Sequence, residues 1–259
     1  RVFLITSDIR AIHLAQVGTP NYGGASMLKS YVGSISAYSK RKQWQAGLSI
    51  WSEVQQRSLK PDVIAYSAAI SACEKGARWQ EALGALVGMR LRFVDPNVIT
   101  YTAAISACDK GQQWQEALGM FLEMQALGLV PGAMTYNSVI SACGKGANWK
   151  AALDLFLGMQ PRCLELDVFH YSVAMSACEK GGRWQEVLRM LSDMWLHSPT
   201  PNAVTYSTAI SVCGTCAQWQ EALATFREMQ GQCMEPTVFH YTSAISACEK
   251  SARWRAALV

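Results

Sequence analysis

The cysteines in this sequence could form disulfides, and cysteines together with histidines could hold a metal. The chain has nine cysteines and four histidines. Secreted folds that depend on disulfides concentrate their cysteines in fewer than about 100 residues, whereas here most cysteines are spread along a repeat. We therefore expect reduced, buried cysteines that behave as small apolar residues. Six of them recur every 35 residues, at Cys73, Cys108, Cys143, Cys178, Cys213 and Cys248.

A zinc site is not expected from this pattern. Cys213 and Cys216 form one C-x-x-C pair, but a structural zinc site takes four ligands, and no second pair or well-spaced histidine completes it. His170 and His240 occupy the same slot of two repeats, directly before a tyrosine, which favours polar residues at a helix start over ligands. We expect no metal and no cofactor.

Composition predicts a folded chain and leaves its partner open. Of the 259 residues, 50% are hydrophobic and 16% are charged, which excludes a disordered or collagen-like polymer. The net charge of +4 is milder than the basic stripe of many nucleic-acid modules. No apolar run approaches the ~18 residues that span a bilayer, so membrane insertion is not expected. The chain begins at Arg1 rather than Met, and we expect any targeting peptide to have been removed or to lie outside it.

The chain is an array of 35-residue repeats. Tyrosine recurs at 31, 66, 101, 136, 171, 206 and 241, and tryptophan at 44, 79, 114, 149, 184, 219 and 254. No insertion or deletion interrupts this register. Residues 1–27 are predicted to be a degenerate repeat or an N-terminal cap. Six complete units follow at 28–62, 63–97, 98–132, 133–167, 168–202 and 203–237, with a truncated seventh at 238–259.

Each unit is predicted to contain two amphipathic helices, A and B. Apolar residues in the first half follow the i, i+3, i+4, i+7 spacing of one helix face, as in Tyr66, Ala69, Ile70 and Cys73. Gly76 breaks this pattern, and a second helix opens at the tryptophan. One hairpin of about 30 helical residues cannot bury its apolar face alone, so neighbouring hairpins must stack. We predict an all-α solenoid.

The repeat resembles the pentatricopeptide repeat family. The features that carry the resemblance are the 35-residue period, a tyrosine early in helix A, a Lys-Gly break, Glu-Ala-Leu in helix B and a terminal proline followed by a polar residue. Tetratricopeptide repeats also have two helices, but their period is 34. The resemblance implies a right-handed superhelix with the A helices on the concave side, and single-stranded RNA as the partner, bound one base per repeat.

In that family, bases are read by the residue after the helix A tyrosine together with the last residue of the unit. Short hydroxyl and amide groups can reach a base edge, and an acidic partner selects donors over acceptors. By resemblance, Ser with Asn favours adenine and Asn with Asp favours uracil, which predicts N-A-N-U-A-N for the six units. The pairs are Val32 with Asp62, Ser67 with Asn97, Thr102 with Gly132, Asn137 with Asp167, Ser172 with Asn202, and Ser207 with Thr237.

Two further rows are predicted to contact RNA. Apolar residues near the start of each A helix resemble the family's wedges, which sandwich each base; packing between repeats is the alternative. A row of lysines at the end of helix A can neutralise phosphates; alternatively, these lysines can cap the helix and increase solubility. The predicted wedges are Ile64, Ile99, Met134, Phe169, Val204 and Phe239. The predicted phosphate contacts are Lys75, Lys110, Lys145, Lys180 and Lys250.

Two functions from different classes fit this sequence. The first, by resemblance, is a sequence-selective RNA-binding protein that acts in a mitochondrion or plastid on transcript stability, processing or translation. The second is a helical scaffold, or a protein-binding subunit of a large organellar complex, that does not read RNA. Catalysis is not expected, because the H-x-E element of a deaminase is missing and residues 1–27 are too short for a nuclease domain.

Overall fold

The computed structural model describes residues 22–57, 59–159, 166–197, 199–232 and 234–253, which form thirteen α-helices and no strand. The A helices are α1 (Tyr22–Lys40), α3 (Val63–Lys75), α5 (Val98–Lys110), α7 (Ala133–Lys145), α9 (Val168–Lys180), α11 (Ala203–Thr215) and α13 (Val238–Lys250). The B helices are α2 (Trp44–Gln56), α4 (Trp79–Leu91), α6 (Trp114–Ala126), α8 (Trp149–Leu157), α10 (Trp184–His197) and α12 (Trp219–Gly231).

The helix bounds follow the repeat along the described chain. Each B helix opens at its tryptophan, as predicted. The first A helix is longer than the others, because α1 begins at Tyr22, six residues before Leu28. The rest of the predicted N-terminal cap, and the second helix predicted for the truncated seventh unit, lie outside the described residues. No described helix is long and apolar enough to cross a membrane.

The hairpins stack into an α-solenoid, which confirms the predicted fold class. Successive A helices pack against one another in a continuous row from α1 to α13. Each B helix packs against the A helix of its own unit and against the next A helix. Neighbouring B helices lie farther apart and are bridged by long side chains, as by Arg90 of α4 and Glu123 of α6, whose charged atoms are 2.6 Å apart. Because the A helices are packed more closely than the B helices, the array curves with the A helices on its inner side.

The core lies between the two helix layers and is built from the repeated residues. The tyrosines of helix A from Tyr66 to Tyr206 are at most 2% exposed. Aromatic rings of one unit meet the tyrosine of the next edge to face, with Phe121 and Tyr136 centroids 5.0 Å apart. The six repeat cysteines are buried and unpaired, as predicted. Burial raises the pKa of the Cys73 and Cys108 thiols to about 12, so they stay protonated.

The glycine after helix A is required by packing rather than by backbone conformation. Gly76 has a φ of −90°, and the left-handed residue of the turn is Ala77, with a φ of 53°. A Cβ on Gly76 would overlap the indole ring of Trp44 from the preceding unit. Gly111, Gly146 and Gly181 face the preceding tryptophan in the same way. The tryptophans are consequently half-buried against the next unit rather than enclosed within their own.

This contact predicts opposite effects for two glycine substitutions in neighbouring helices. Gly146→Ala should lower the free energy of unfolding by about 1–3 kcal/mol, because the new methyl group overlaps Trp114. Gly119→Ala is the matched control: no atom lies within 4 Å of its Cβ, so helix propensity should make it stabilising by about 0.5–1 kcal/mol. Urea denaturation measures both. Equal stability of the two variants would contradict the packing role.

Candidate nucleic-acid interface

The last residue of each unit is the N-cap of the next A helix. Asp62 Oδ1 accepts a hydrogen bond from the Ala65 N–H at 2.8 Å, and Asn97 Oδ1 accepts from the Thr100 N–H at 3.0 Å. Asn202 Oδ1 accepts from the Thr205 N–H at 3.1 Å. These boundary residues are the second members of the predicted base-reading pairs, and capping fixes one of their two polar atoms.

Capping therefore determines which chemical group each boundary residue leaves available. Because Oδ1 of Asn97 and Asn202 accepts from the backbone, their Nδ2 amino groups remain as donors. Asp167 Oδ1 accepts from the His170 N–H at 3.0 Å, which leaves carboxylate Oδ2 as an acceptor. Burial pushes the pKa of the Asp167 carboxyl upward, but hydrogen bonds from His170 outweigh it and hold the pKa below its usual range. Gly132 offers no side chain at this position.

The first members of the pairs lie half-buried between consecutive A helices. The hydroxyls of Ser67, Ser172 and Ser207 donate to the backbone carbonyl four residues earlier at 2.7–2.8 Å, so their oxygens remain as acceptors. Thr102 donates to the Val98 carbonyl in the same way. Asn137 belongs to this row, and its Oδ1 is buried without a hydrogen-bond partner among the described residues.

A third buried residue lies beneath each pair, and sequence reasoning missed its role. It is the third residue of the next A helix: Thr100 is 0%, Thr135 1%, His170 5%, Thr205 0% and His240 1% exposed. The Asn97 N–H donates to Thr100 Oγ1 at 2.8 Å, which completes a reciprocal capping box. The signal is visible in the sequence as Asn, Asp or Thr followed three residues later by Thr or His.

The predicted wedge residues all point into solvent. Ile64, Ile99, Met134, Phe169, Val204 and Phe239 are between 51% and 73% exposed. They come two residues after the cap on each A helix from α3 to α13. Their exposure favours a role at the surface over packing between repeats.

The lysine row is divided by acidic residues into two kinds of site. Lys110 Nζ lies 2.7 Å from Glu74 Oε1, and Lys145 Nζ lies 3.0 Å from Asp109 Oδ1, in each case on the preceding A helix. Lys75 lies 3.4 Å from the same Glu74 oxygen. Burial raises the pKa of the Glu74 carboxyl, but the two lysines outweigh it and lower the pKa overall. Each of these three lysines therefore has a carboxylate partner within the protein, and Lys75 and Lys110 share the single charge of Glu74.

Lys180 has no such partner within the described chain. Its slot on the preceding A helix is Gly144, where an added Cβ would lie 2.8 Å from the Ala177 Cβ, so no acidic side chain fits. Lys250 faces Gly214, where a Cβ would lie 2.9 Å from the Ser243 carbonyl oxygen. Lys180 lines a cavity of about 200 Å³ together with Lys145, Ser141, Ser172 and Ser176. The cavity therefore places the unpaired Lys180 close to Ser172, a predicted base-reading residue.

The described residues contain no cluster of side chains that could hold a metal ion. Cys216 is only partly buried, and its thiol donates to the Gly182 carbonyl at 3.3 Å. His170 and His240 cap their helices, in agreement with the interpretation of both as polar residues of a helix start.

Comparisons with known proteins agree with this repeat structure. The PPR repeat family matches residues 96–145, and the PPR repeat matches residues 134–160, 169–197 and 204–233. No curated protein sequence matches significantly.

Solved structures of similar fold extend the comparison over most of the chain. The pentatricopeptide repeat protein PPR10 from maize aligns with 89% of this chain at 18% identity and a TM-score of 0.59. PPR10 in complex with an 18-nucleotide psaJ RNA element aligns with 89% of this chain at 25% identity and a TM-score of 0.54. The chain spans only 38% and 32% of those two chains.

A shorter relative is matched almost completely. The PPR domain of Arabidopsis thaliana protein-only RNase P 1, in complex with tRNA, aligns over 94% of its own length and 72% of this chain, at 14% identity and a TM-score of 0.59. The family models and the 35-residue period show that residues 96–160, 169–197 and 204–233 are pentatricopeptide repeats, and the solved structures show the same solenoid fold over most of the chain.

Proposed function

We propose that the chain binds single-stranded RNA along its row of A helices, with one base at each pair of reading residues. The observation that carries this proposal is the capping geometry, which leaves a defined donor or acceptor at the unit boundaries formed by Asn97, Asp167 and Asn202. The RNA complexes of maize PPR10 and of the Arabidopsis RNase P domain support the choice of ligand. An organellar site of action stays part of the proposal, from the family resemblance.

The free groups of two pairs match the Watson-Crick edge of adenine. In Ser67 with Asn97 and in Ser172 with Asn202, the serine oxygen can accept from the adenine N6 amino group. The asparagine Nδ2 can donate to adenine N1, because Oδ1 is held by the cap. Cytosine presents the same order of donor and acceptor, so the preference for adenine over cytosine rests on the family resemblance.

The pair of Asn137 with Asp167 has the opposite polarity at its boundary. The Asp167 carboxylate accepts, which suits the N3–H of uracil, and the Asn137 amide can donate to uracil O4. A base with an unprotonated ring nitrogen at this point, such as cytosine, would face the carboxylate with a lone pair. The fourth base is therefore the position at which charge discriminates most strongly.

The wedge and lysine rows supply the contacts that do not depend on sequence. An exposed apolar side chain on every A helix offers a surface on which a base can stack. Lys75, Lys110 and Lys145 would have to exchange a carboxylate for a phosphate, at little net gain in charge pairing. Lys180 and Lys250 would gain a counterion, so we assign the principal phosphate contacts to these two.

Base selection can be tested by exchanging the hydrogen-bond acceptor of one boundary residue for a donor. Asp167→Asn keeps a capping side chain but replaces the acceptor by a donor, so the preference for uracil over cytosine at the fourth base should fall. The discrimination at stake is about 1–3 kcal/mol, as for one mismatched base. Fluorescence anisotropy with hexamers of the form N-A-N-U-A-N and N-A-N-C-A-N measures the change.

Asn202→Asp is the matched control for this exchange, because it reverses the boundary group of the next unit. It should weaken the preference for adenine at the fifth base and leave the preference at the fourth base unchanged. If neither the unchanged chain nor its variants bound the designed RNA or a scrambled hexamer at low salt, RNA binding would be wrong and the scaffold function would replace it.

The division of the lysine row predicts unequal effects on the salt dependence of binding. Lys180→Gln should weaken all RNA sequences alike and reduce the slope of log K against log salt by up to about 0.7, the value for one phosphate contact on a single strand. Lys150→Gln removes the same charge from α8, on the outer layer, and should leave the slope nearly unchanged. Equal slopes for the two variants would contradict a phosphate contact at Lys180.

A further inference from the structure

Each pair of base-reading residues has a buried neighbour that could connect its two members. For the third and sixth units, the contact between this neighbour and the first member of the pair is formed. Thr135 Oγ1 lies 2.8 Å from Thr102 Oγ1, and His240 Nε2 lies 2.7 Å from Ser207 Oγ. The same two neighbours follow the boundary residues Gly132 and Thr237 by three positions, so each one lies between the two members of its pair.

The hydrogen bonds at His240 show which ring nitrogen carries the proton. The Thr237 N–H donates to Nδ1 at 2.9 Å. The Ser207 hydroxyl donates to the Ala203 carbonyl at 2.7 Å, so its oxygen is free to accept. The Ala203 carbonyl oxygen also lies 3.3 Å from Nε2 and can only accept. Nε2 therefore carries the proton and donates to Ser207.

His170 holds the same place in the fourth unit, between Asn137 and Asp167. The Asp167 N–H donates to Nδ1 at 3.1 Å, and the Asp167 carboxylate oxygen lies 2.5 Å from Nδ1. A neutral ring that accepts the N–H carries its proton on Nε2, and a cationic ring that donates to the carboxylate carries one there as well. Nε2 is the donor in both of these forms, and only a neutral ring protonated on Nδ1 would leave it without a proton. Because His240 in the same slot accepts its boundary N–H at Nδ1, we assign the His170 proton to Nε2 as well.

Two buried atoms in this unit have no partner within the described residues, and they are complementary. They are His170 Nε2, in a residue only 5% exposed, and Asn137 Oδ1. In the third and sixth units the equivalent atoms are hydrogen-bonded to each other. A buried polar atom without a hydrogen-bond partner is destabilising, which favours closing this contact when a base covers the pair.

We propose that His170 is a specificity-determining third member of the fourth reading site, and that its Nε2–H binds Asn137 Oδ1 and fixes the orientation of that amide. With Oδ1 held, Nδ2 is the group presented to the base. The site then offers one donor from Asn137 and one acceptor from Asp167, the complement of uracil O4 and N3–H. This inference rests on the proposed RNA binding. It assigns to a buried residue a role in base choice that neither Asn137 nor Asp167 can perform alone.

The other units illustrate why the third member matters for this pair in particular. A serine hydroxyl oxygen can accept in any rotamer, so Ser67 and Ser172 need no such support. An asparagine amide can present either Oδ1 or Nδ2, and the two choices have opposite hydrogen-bonding character. Only a neighbour that donates can keep Oδ1 turned inward, and a buried Nε2–H is such a donor.

The test replaces His170 by alanine, the residue that occupies this slot in α3 and has no hydrogen-bond donor in its side chain. His170→Ala retains the backbone cap, because Asp62 Oδ1 accepts from the Ala65 N–H at 2.8 Å. We expect the preference for uracil over cytosine at the fourth base to fall about 2- to 10-fold, the worth of one hydrogen bond. Preferences at the second and fifth bases should not change, whereas a loss of stability alone would weaken all three.

A measurement without RNA separates this inference from the proposed function. The ¹⁵N shifts of the His170 ring in the unchanged chain should show a protonated Nε2, and the Asn137 side-chain amide signals should move in His170→Ala. RNA binding with an unaltered fourth-base preference, or an unprotonated Nε2, would overturn the role of His170. Failure of the unchanged chain to bind any RNA would overturn the proposed function and this inference with it.

Discussion

The hydrogen bond between a boundary side chain and the first turn of the next A helix joins the fold of this protein to its recognition surface. Four N–H groups at a helix start lack partners within the helix, and Asp62, Asn97, Asp167 and Asn202 each satisfy at least one. Each bond uses one oxygen of a side chain that has two polar atoms. The remaining atom has a chemical character that the cap itself has fixed, so in the proposed function base selection at these boundaries follows from helix capping.

The second constraint is the spacing between hairpins, which is set by contacts between tryptophan side chains and glycines. Trp44 and Trp114 fit against the next unit only because Gly76 and Gly146 have no side chain. On the inner side, Gly144 lets α7 and α9 approach so closely that no acid can neutralise Lys180. A packing requirement thereby creates an exposed cation beside Ser172, in a cavity between two A helices.

Much of this structure could be predicted from the sequence, because the signals involved lie within one repeat. The 35-residue period and the two amphipathic segments gave the helices and their order, and the tryptophan marked the start of each B helix. The Lys-Gly motif was interpreted as a helix break, but Gly76 has an ordinary φ and Ala77 takes the left-handed conformation. The reason is a contact with Trp44, in another unit, and spacing within one repeat carries no information about it.

The lysine row and the third residue of helix A show the same limit. A lysine that is repeated in sequence looks uniform, yet Lys110 is neutralised by Glu74 and Lys180 is not. Pairing every lysine with the residue 36 positions earlier would have revealed the difference. His170 looked like a polar residue of a helix start. Its burial, and its place between Asn137 and Asp167, depend on the distance between A helices and become visible only when the units are stacked.

The most direct test of base-by-base RNA recognition is selection by the intact chain from a random single-stranded RNA library, followed by sequencing of the bound molecules. The account predicts a shared window of six nucleotides with adenine at the second position, uracil at the fourth and adenine at the fifth. The strongest enrichment should be at the fourth position, where the Asp167 carboxylate excludes an unprotonated ring nitrogen. Bound RNA without a shared sequence, or no retained RNA, would contradict it.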